Sequence, residues 1–346
     1  MRRLLAVVLV AVAACAATGA GALPATASPT TVRVGVADNF PWTFTDPGFL
    51  RLGVKRTRYV VQWNLVDDPE RLLGADQFLE AARRAGVEVL LHFSTDDYTP
   101  RAARLPSRLE YRQKVGALVA RYWGYGVRHF GVWNEANDRT QPTYQSPERA
   151  AEFFQELWRM LQVPGRCGPR MAGCRVVALD VLDGRSKKQL KAVRAYIRRF
   201  YKRLGRTYRE RARIVGLHNY SDTNRNSSGG TRNALREVQR HTRRPRIWLT
   251  ETGGVLKIGD TGDFRCFADD PLSVQAAEQR AAGAVRWMFK LATRFRKSVD
   301  RLYVYQYTGA DCRERFDAGL VRRDRSRRPA WYEVDHHLRA SELLKP

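Results

Sequence analysis

Two glutamates end runs of β-forming residues, and their chemistry is that of an acid and a nucleophile. Glu135 ends the segment FGVWNE, and Glu251 ends the segment RIWLTE. Hydrolysis of a glycosidic bond needs two carboxyl groups, because one donates a proton to the leaving oxygen while the other attacks or stabilises the developing sugar cation. The two glutamates therefore predict a catalytic pair, provided that the fold brings these distant strand ends together.

Eight predicted strands alternate with predicted helices along the chain. Several of the strands are almost continuously apolar, as strands that are covered by helices on both faces are. The helical segments have typical boundaries: Pro69, for example, opens one of them and Gly86 follows its end. The eight strands begin at Thr31, Thr57, Val87, Val127, Cys174, Arg213, Arg246 and Arg301.

This alternation predicts the α/β class and a single-domain (β/α)8 TIM barrel over residues 28–346. An open doubly wound sheet is the alternative, but it requires a glycine-rich turn after the first strand, which the segment VADNFPW lacks. Strand alternation places Trp133 on the face of Glu135, on strand four, and Leu249 on the face of Glu251, on strand seven. If that face points inward in a barrel, both glutamates overhang the axis from opposite sides.

Residues 1–27 are typical of a secretory signal peptide. Two arginines precede the apolar stretch Leu4–Ala14, which is too short to span a bilayer, and an A-x-A cleavage site follows at Ala25–Ala27. The alternative is a lipobox that ends at Cys15 and leaves a lipid-anchored cysteine. Both interpretations predict export, with the protein either secreted or held at the cell wall.

Four cysteines remain after the signal peptide, which suits disulfide bonding in an exported protein. Three pairings are possible, and the predicted loop positions favour Cys167–Cys174 and Cys266–Cys312. A zinc site is the competing interpretation, but the cysteines lack C-x-x-C spacing and have no histidine beside them. We therefore predict no metal and no cofactor.

The net charge of +26 predicts attraction to anionic polymers or surfaces. The basic residues are spread over most predicted helices, and none of the basic runs is interleaved with aromatic residues as a nucleic-acid groove would require. We therefore expect no nucleic-acid partner. We expect instead a monomer that adheres electrostatically to anionic cell-wall polymer.

The segments WNEAN, at the end of strand four, and LTETG, at the end of strand seven, carry a family resemblance. They resemble the acid/base and nucleophile motifs of the clan of retaining (β/α)8 glycoside hydrolases, which includes cellulases, β-mannanases and β-xylosidases. The resemblance implies that Glu135 is the acid/base and Glu251 the nucleophile, acting on a β-linked poly- or oligosaccharide. It further implies that Asn134 holds the sugar 2-hydroxyl.

Other candidate substrate-binding residues lie near predicted strand ends. The resemblance implies that His92, on strand three, and the pair His218 and Tyr220, on strand six, contact the sugar. Trp63 stands where a sugar ring could stack on it. The clan often has a tryptophan platform at the end of strand eight, where the candidate here is Tyr307, next to Gln306.

The chain departs from the clan pattern at two further places. Ala136 follows the acid/base glutamate, where clan members commonly have proline. The arginine often found at the end of strand two is missing, since Arg58 lies near the opposite end of that strand. These departures concern which sugar is recognised. The alternative function is that of a catalytically weak barrel that binds acidic glycan or wall polymer through its arginines.

Overall fold

The predicted (β/α)8 barrel is confirmed. The computed structural model describes residues 31–258, 271–311 and 314–346. The barrel is built of eight parallel strands, with short extra strands at its rims. In chain order the strands are Val32–Ala37 (β1), Arg56–Gln62 (β2), Glu88–Ser94 (β3), His129–Gly131 (β4), Arg175–Leu182 (β5), Ile214–His218 (β6), Arg246–Thr252 (β7), Lys257–Ile258 (β8), Val299–Tyr305 (β9), Phe316–Asp317 (β10) and Leu344–Lys345 (β11).

The barrel strands pair in the order β1–β9–β7–β6–β5–β4–β3–β2. The two ends of this order lie against each other, because a Cβ added to Gly35 on β1 would come 2.8 Å from the carbonyl oxygen of Arg56 on β2. The last strand, β11, pairs in parallel with the start of β1, where Val32 lies opposite Leu344. The antiparallel pair β8 and β10 lies outside this sheet.

Helices surround the sheet, and local sequence sets their starts. Two of them open with a complete capping box, formed by Ser107 with Glu110 and by Ser186 with Gln189. Proline occupies the first turn of several others. The helices are Pro47–Leu52 (α1), Pro69–Arg84 (α2), Arg108–Trp123 (α3), Pro147–Leu161 (α4), Lys187–Arg209 (α5), Tyr220–Asn224 (α6), Gly229–Gln239 (α7), Pro271–Arg294 (α8) and Pro329–Ala340 (α9).

The cysteine prediction is confirmed for one pair. Cys167 and Cys174 form a disulfide in the connection from α4 to β5, with their Cα atoms 5.9 Å apart. Cys266 and Cys312 lie outside the described residues, as does the predicted signal segment 1–27 with Cys15. Within the described ranges, no helix is long and apolar enough to cross a membrane.

The prediction that Leu249 shares the inward face of Glu251 on β7 is wrong, and a local irregularity of the strand explains why. Trp248 packs inside the barrel with Leu90 and Tyr303, so Leu249 faces the helices. The pairing register of β7 then shifts between Leu249 and Thr252. Such a bulge puts two consecutive residues on one face of a strand. It is therefore the shift that brings Glu251 to the barrel axis.

The predicted facing of Trp133 is also wrong. Its ring packs against Phe153 of α4, with centroids 5.2 Å apart, and its Nε1 donates to Gln141. Strand alternation fails here because β4 ends at Gly131 and the chain turns before Glu135. Glu135 itself has a φ of 44°, which few residues other than glycine adopt. The catalytic candidate is thus delivered by a turn after the strand.

Gly131, the last residue of β4, makes room for the imidazole of His92. A Cβ at this position would lie 2.1–2.4 Å from three atoms of that buried ring. We therefore expect Gly131→Ala to lower the free energy of unfolding by about 2–3 kcal/mol, as overpacking of a filled core does. Denaturant titration would measure the change.

Gly116, in the middle of α3, provides the matched control, because an added Cβ would meet only Met160 Sδ at 3.7 Å. Gly116→Ala should raise stability by about 0.5–1 kcal/mol through helix propensity. Equal stability of the two variants would contradict the close packing of His92 on Gly131.

Candidate active site

Glu135 and Glu251 line one cavity of about 1290 Å³ at the carboxyl ends of the barrel strands. One carboxyl oxygen from each lies within 4.8 Å of the other. In retaining glycosidases the two carboxyl groups are about 5–5.5 Å apart, whereas inverting enzymes separate them by roughly 6.5–9.5 Å to admit a water molecule. The separation here fits a direct attack by one carboxylate on the sugar.

Glu251 is held by two donors. Arg58 Nη1 donates to its Oε2 at 2.6 Å, and the Tyr220 hydroxyl donates to its Oε1 at 3.0 Å. The guanidinium bond is charge-assisted and fixes the orientation of the carboxylate. Glu251 thus has the surroundings of an anionic nucleophile.

Glu135 has different surroundings. Burial is the main cause that raises the pKa of its carboxyl, and the nearby negative charge of Glu251 adds to the rise. The imidazole of His218 opposes this rise, with Nδ1 2.8 Å from Glu135 Oε1. Glu135 therefore keeps its proton to a higher pH than an ordinary glutamate, as a general acid must.

Asp180, on β5, connects the residues beneath the two glutamates. Its carboxylate is fully buried and accepts a hydrogen bond from Thr250 Oγ1 at 2.9 Å. Burial would raise its pKa, but the positive neighbours outweigh burial and lower it. Its Oδ2 lies 3.2 Å from His218 Nε2, 3.2 Å from His92 Nε2 and 3.6 Å from Arg58 Nη2.

The two buried histidines have opposite charge states. Burial alone would lower the pKa of His218, but Asp180 and Glu251 outweigh it and raise the pKa to about 10. The pKa of His92 is lowered well below its ordinary value by burial and by the positive charges of Arg58 and His218, against the attraction of Asp180. Hence His218 is an imidazolium and His92 is neutral.

These assignments balance the buried charges. Arg58 and His218 are positive, and Asp180 and Glu251 are negative. The cluster is therefore neutral when Glu135 carries its proton. Since an uncompensated charge is costly in a buried site, this balance favours the protonated acid.

The donor set of this site does not suit a metal ion. Oxygens of Glu135 and Glu251 and a nitrogen of His218 lie within 4.8 Å of one another, which is close enough for shared ligation. However, an imidazolium has no lone pair to offer, and Arg58 already places a positive charge against Glu251.

The expectation that no arginine of β2 reaches the site is wrong. The Cα of Arg58 lies before the middle of β2, but its long side chain extends along the barrel axis into the site. There it contacts Glu251 and Asp180, and Nη2 also donates to Asn134 Oδ1. Sequence reasoning placed only the Cα and overlooked the reach of the side chain.

Three residues predicted to bind substrate do not fit the structure, because their side chains are buried and do not line the cavity. His92 has no exposed surface, and its Nδ1 lies 3.2 Å from Arg58 Nε. Trp63 is 3% exposed, and Arg104 lies over its ring. Tyr307 is fully buried, and its hydroxyl donates to Asp46.

The remaining predicted residues do converge on the site. Asn134 and Tyr220 line the cavity beside the glutamates. His218 has no exposed surface, but its Nδ1 lies 2.8 Å from Glu135 and 3.6 Å from Glu251. His218 therefore contacts the glutamates and does not itself line the cavity.

Sequence reasoning missed the aromatic wall of the cavity. Tyr305 ends β9 and lines the cavity, together with Tyr98 and Phe316. Phe316 packs between Tyr220 and Tyr305, with ring centroids 5.3 and 6.0 Å away. Alternation from the inward-facing Tyr303 would have identified Tyr305, because residues two apart share a strand face.

The fold of the chain is shared with solved glycoside hydrolases. An endo-1,4-β-xylanase of Penicillium canescens superposes with a TM-score of 0.60 at 14% identity, over 91% of this chain and 96% of that chain. A psychrophilic glycoside hydrolase family 10 endo-β-1,4-xylanase gives 0.59 at 14%, over 88% and 96%. Xylanase XynB of Paenibacillus barcinonensis gives 0.59 at 12%, over 88% and 95%.

No family model and no curated protein matches the chain. At the identities above, structural similarity establishes the common (β/α)8 fold. The fold implied by the two glutamate motifs is therefore confirmed.

The charge state of His218 can be tested by NMR. Its pKa of about 10 predicts imidazolium ¹⁵N shifts at pH 7, and Asp180→Asn should lower that pKa by removing the main attraction. Because the folded-state pKa is raised, its stabilising contribution is complete below about pH 6.5 and is lost as the pH rises towards 10.

The control is Asp324→Asn, in an exposed turn, which should leave the His218 titration unchanged. A neutral His218 at pH 7 in the unsubstituted protein would contradict the proposed charge balance.

Proposed function

We propose that the protein is a secreted retaining glycoside hydrolase that cleaves β-linked glycosidic bonds of a poly- or oligosaccharide. The observation that carries this proposal is the pair of glutamates within 4.8 Å of each other, in opposite environments. Glu251 is bound to a guanidinium, while burial raises the pKa of Glu135. Pairs of carboxyl groups in such contrasting surroundings are typical of an acid and a nucleophile.

In the first step, a carboxylate oxygen of Glu251 attacks the anomeric carbon. Glu135 donates its proton to the glycosidic oxygen, the bond between that oxygen and the anomeric carbon breaks, and the leaving sugar departs. In the second step, Glu135 takes a proton from water, which attacks the same carbon and releases Glu251. The two successive inversions give net retention of configuration.

The buried charges support this sequence of steps. When the glycosyl ester forms, Glu251 loses its negative charge and Glu135 gains one. The net charge of the cluster is thus the same in the free enzyme and in the intermediate. His218 lies 2.8 Å from one carboxyl and 3.6 Å from the other, so it can stabilise whichever of the two is ionised. Such a prearranged environment lowers the cost of moving charge.

The cavity offers groups that suit a sugar. Asn134 Oδ1 accepts from Arg58, which leaves the amide Nδ2 to donate to a sugar hydroxyl, as the family resemblance implies for the 2-hydroxyl. The aromatic rings of Tyr98, Tyr305 and Phe316 provide apolar faces for sugar rings. Two solved structures that share the fold are endo-β-1,4-xylanases, which supports a β-linked polysaccharide as substrate.

Export is part of this proposal. We infer that residues 1–27 direct secretion, and that the alternative of a lipid-anchored Cys15 would hold the protein at the cell surface. The disulfide between Cys167 and Cys174 supports an oxidising compartment. The net charge of +26 supports adhesion of a monomeric enzyme to anionic wall polymer.

The alternative of a catalytically weak binding barrel is less well supported. Such a protein would have no use for the buried ion cluster beneath Glu135 and Glu251. Buried charges with strongly shifted pKa values are concentrated at catalytic sites.

Substitution of the glutamates should separate their roles. Glu251→Ala should abolish turnover of every glycoside, because no covalent intermediate can form. Glu135→Ala should lower turnover of poor leaving groups by about 10²–10⁴-fold, while sparing 2,4-dinitrophenyl glycosides in the first step. Steady-state and burst kinetics on aryl β-glycosides, together with a β-glycan screen, would measure both effects.

Glu342→Gln provides the control, since this glutamate is exposed on the segment after α9 and should leave turnover unchanged. Full activity of both cavity variants would refute the proposed function.

The pH profile should report the raised pKa of Glu135. For a glycoside with a poor leaving group, kcat/KM should fall on the alkaline side at a pH above the ordinary glutamate value of about 4.3, because the proton donor is lost there. A 2,4-dinitrophenyl glycoside of the same sugar should lack this alkaline fall in its first step. If kcat/KM fell equally at alkaline pH for both substrates, the decrease would belong to a group other than Glu135.

A further inference from the structure

A second concave site lies at the opposite end of the barrel from the glutamates. It has a volume of about 700 Å³ and is formed by the connection from α7 to β7 and by the residues just before β9. We call it the basic cleft and define it by Arg240, Thr242, Arg243, Arg244, Arg246 and Lys297. Arg246 starts β7 and Glu251 lies near its end, about 16 Å away at 3.3 Å per residue.

The cleft concentrates positive charge. Of its six defining residues five are cationic, and Glu210 is the acidic residue among those that line the cavity. Arg240 is held by Glu237 at 3.1 Å, and Arg246 donates to the carbonyl oxygen of Lys297. The side chains of Arg243, Arg244 and Lys297 make no hydrogen bond or ion pair within the described ranges.

The cleft differs from the boundaries between neighbouring helices, where arginines pair with carboxylates of the adjacent helix. Examples are Arg199 with Glu148 at 2.8 Å and Arg203 with Glu152 at 2.6 Å. The cleft therefore presents cations whose charge is not already neutralised by the protein.

The backbone at one of the two unpaired arginines has an unfavourable conformation. Arg244 has a φ of 50° and immediately precedes Pro245. Left-handed backbone is disfavoured for a long side chain, and the residue before proline prefers an extended conformation. Such strain persists at sites where the surrounding structure retains it for function.

We propose that the basic cleft binds linked phosphate groups of an anionic polymer. Guanidinium groups bind phosphate oxygens through paired hydrogen bonds, and linked phosphates bring several such oxygens to a group of clustered cations. The cleft gives the proposed wall adhesion a defined site, and it does not depend on the proposed hydrolysis.

The experiment measures binding of sodium tripolyphosphate to the full-length protein by calorimetry at constant ionic strength. Arg243→Gln with Arg244→Gln should weaken binding at least tenfold. Arg112→Gln with Lys290→Gln, exposed on α3 and α8, removes the same charge elsewhere and should change the affinity less than twofold. Equal losses in the two double variants would overturn the proposal, because net charge alone would then explain binding.

A comparison of ligands tests the selectivity for phosphate. An oligogalacturonate of equal charge should bind at least tenfold more weakly than tripolyphosphate, and equal binding would overturn phosphate recognition. Hydrolysis of an aryl glycoside should be the same in all cleft variants, because the site lies at the other end of the barrel. Failure of the proposed hydrolysis would leave these binding results unchanged, so the two proposals can be judged separately.

Discussion

The buried charge cluster of Arg58, Asp180 and His218 is the interaction on which the site depends. Each member is fully buried, and the carboxylate of Asp180 compensates the positive charges of both Arg58 and His218. Removal of one partner from a buried ion pair typically costs about 3–5 kcal/mol, because it leaves an uncompensated charge. The cluster therefore constrains its neighbours strongly, and both glutamates are oriented by contacts with it.

Backbone irregularities serve this cluster. A regular β7 could not aim both Thr250 and Glu251 at the axis, yet one binds Asp180 and the other binds Arg58. A positive φ at Glu135 likewise brings its carboxyl to His218. Such departures are expensive locally and persist because fixed polar interactions compensate for them.

The two ends of the barrel carry different electrostatics. At the carboxyl ends of the strands, cations and carboxylates are paired and buried, so a reaction can move charge within a neutral site. At the opposite end, the cations of the basic cleft, such as Arg243 and Arg244, are unpaired and open to solvent. The first arrangement suits chemistry and the second suits binding of an anion. The rigid sheet between them keeps the two sites independent.

The sequence by itself determined the barrel, because eight apolar strands alternate with amphipathic helices, and it identified Glu135 and Glu251 from their strand-end positions. It also indicated Asn134, Tyr220 and His218. Only the tertiary structure decided which way side chains point where a strand is irregular or has already ended. A bulge and a turn broke the two-residue period, and the length of an arginine side chain separated its Cα from its site of action. Burial likewise excluded Trp63 and Tyr307, since local pattern does not specify which side chains neighbouring loops will cover.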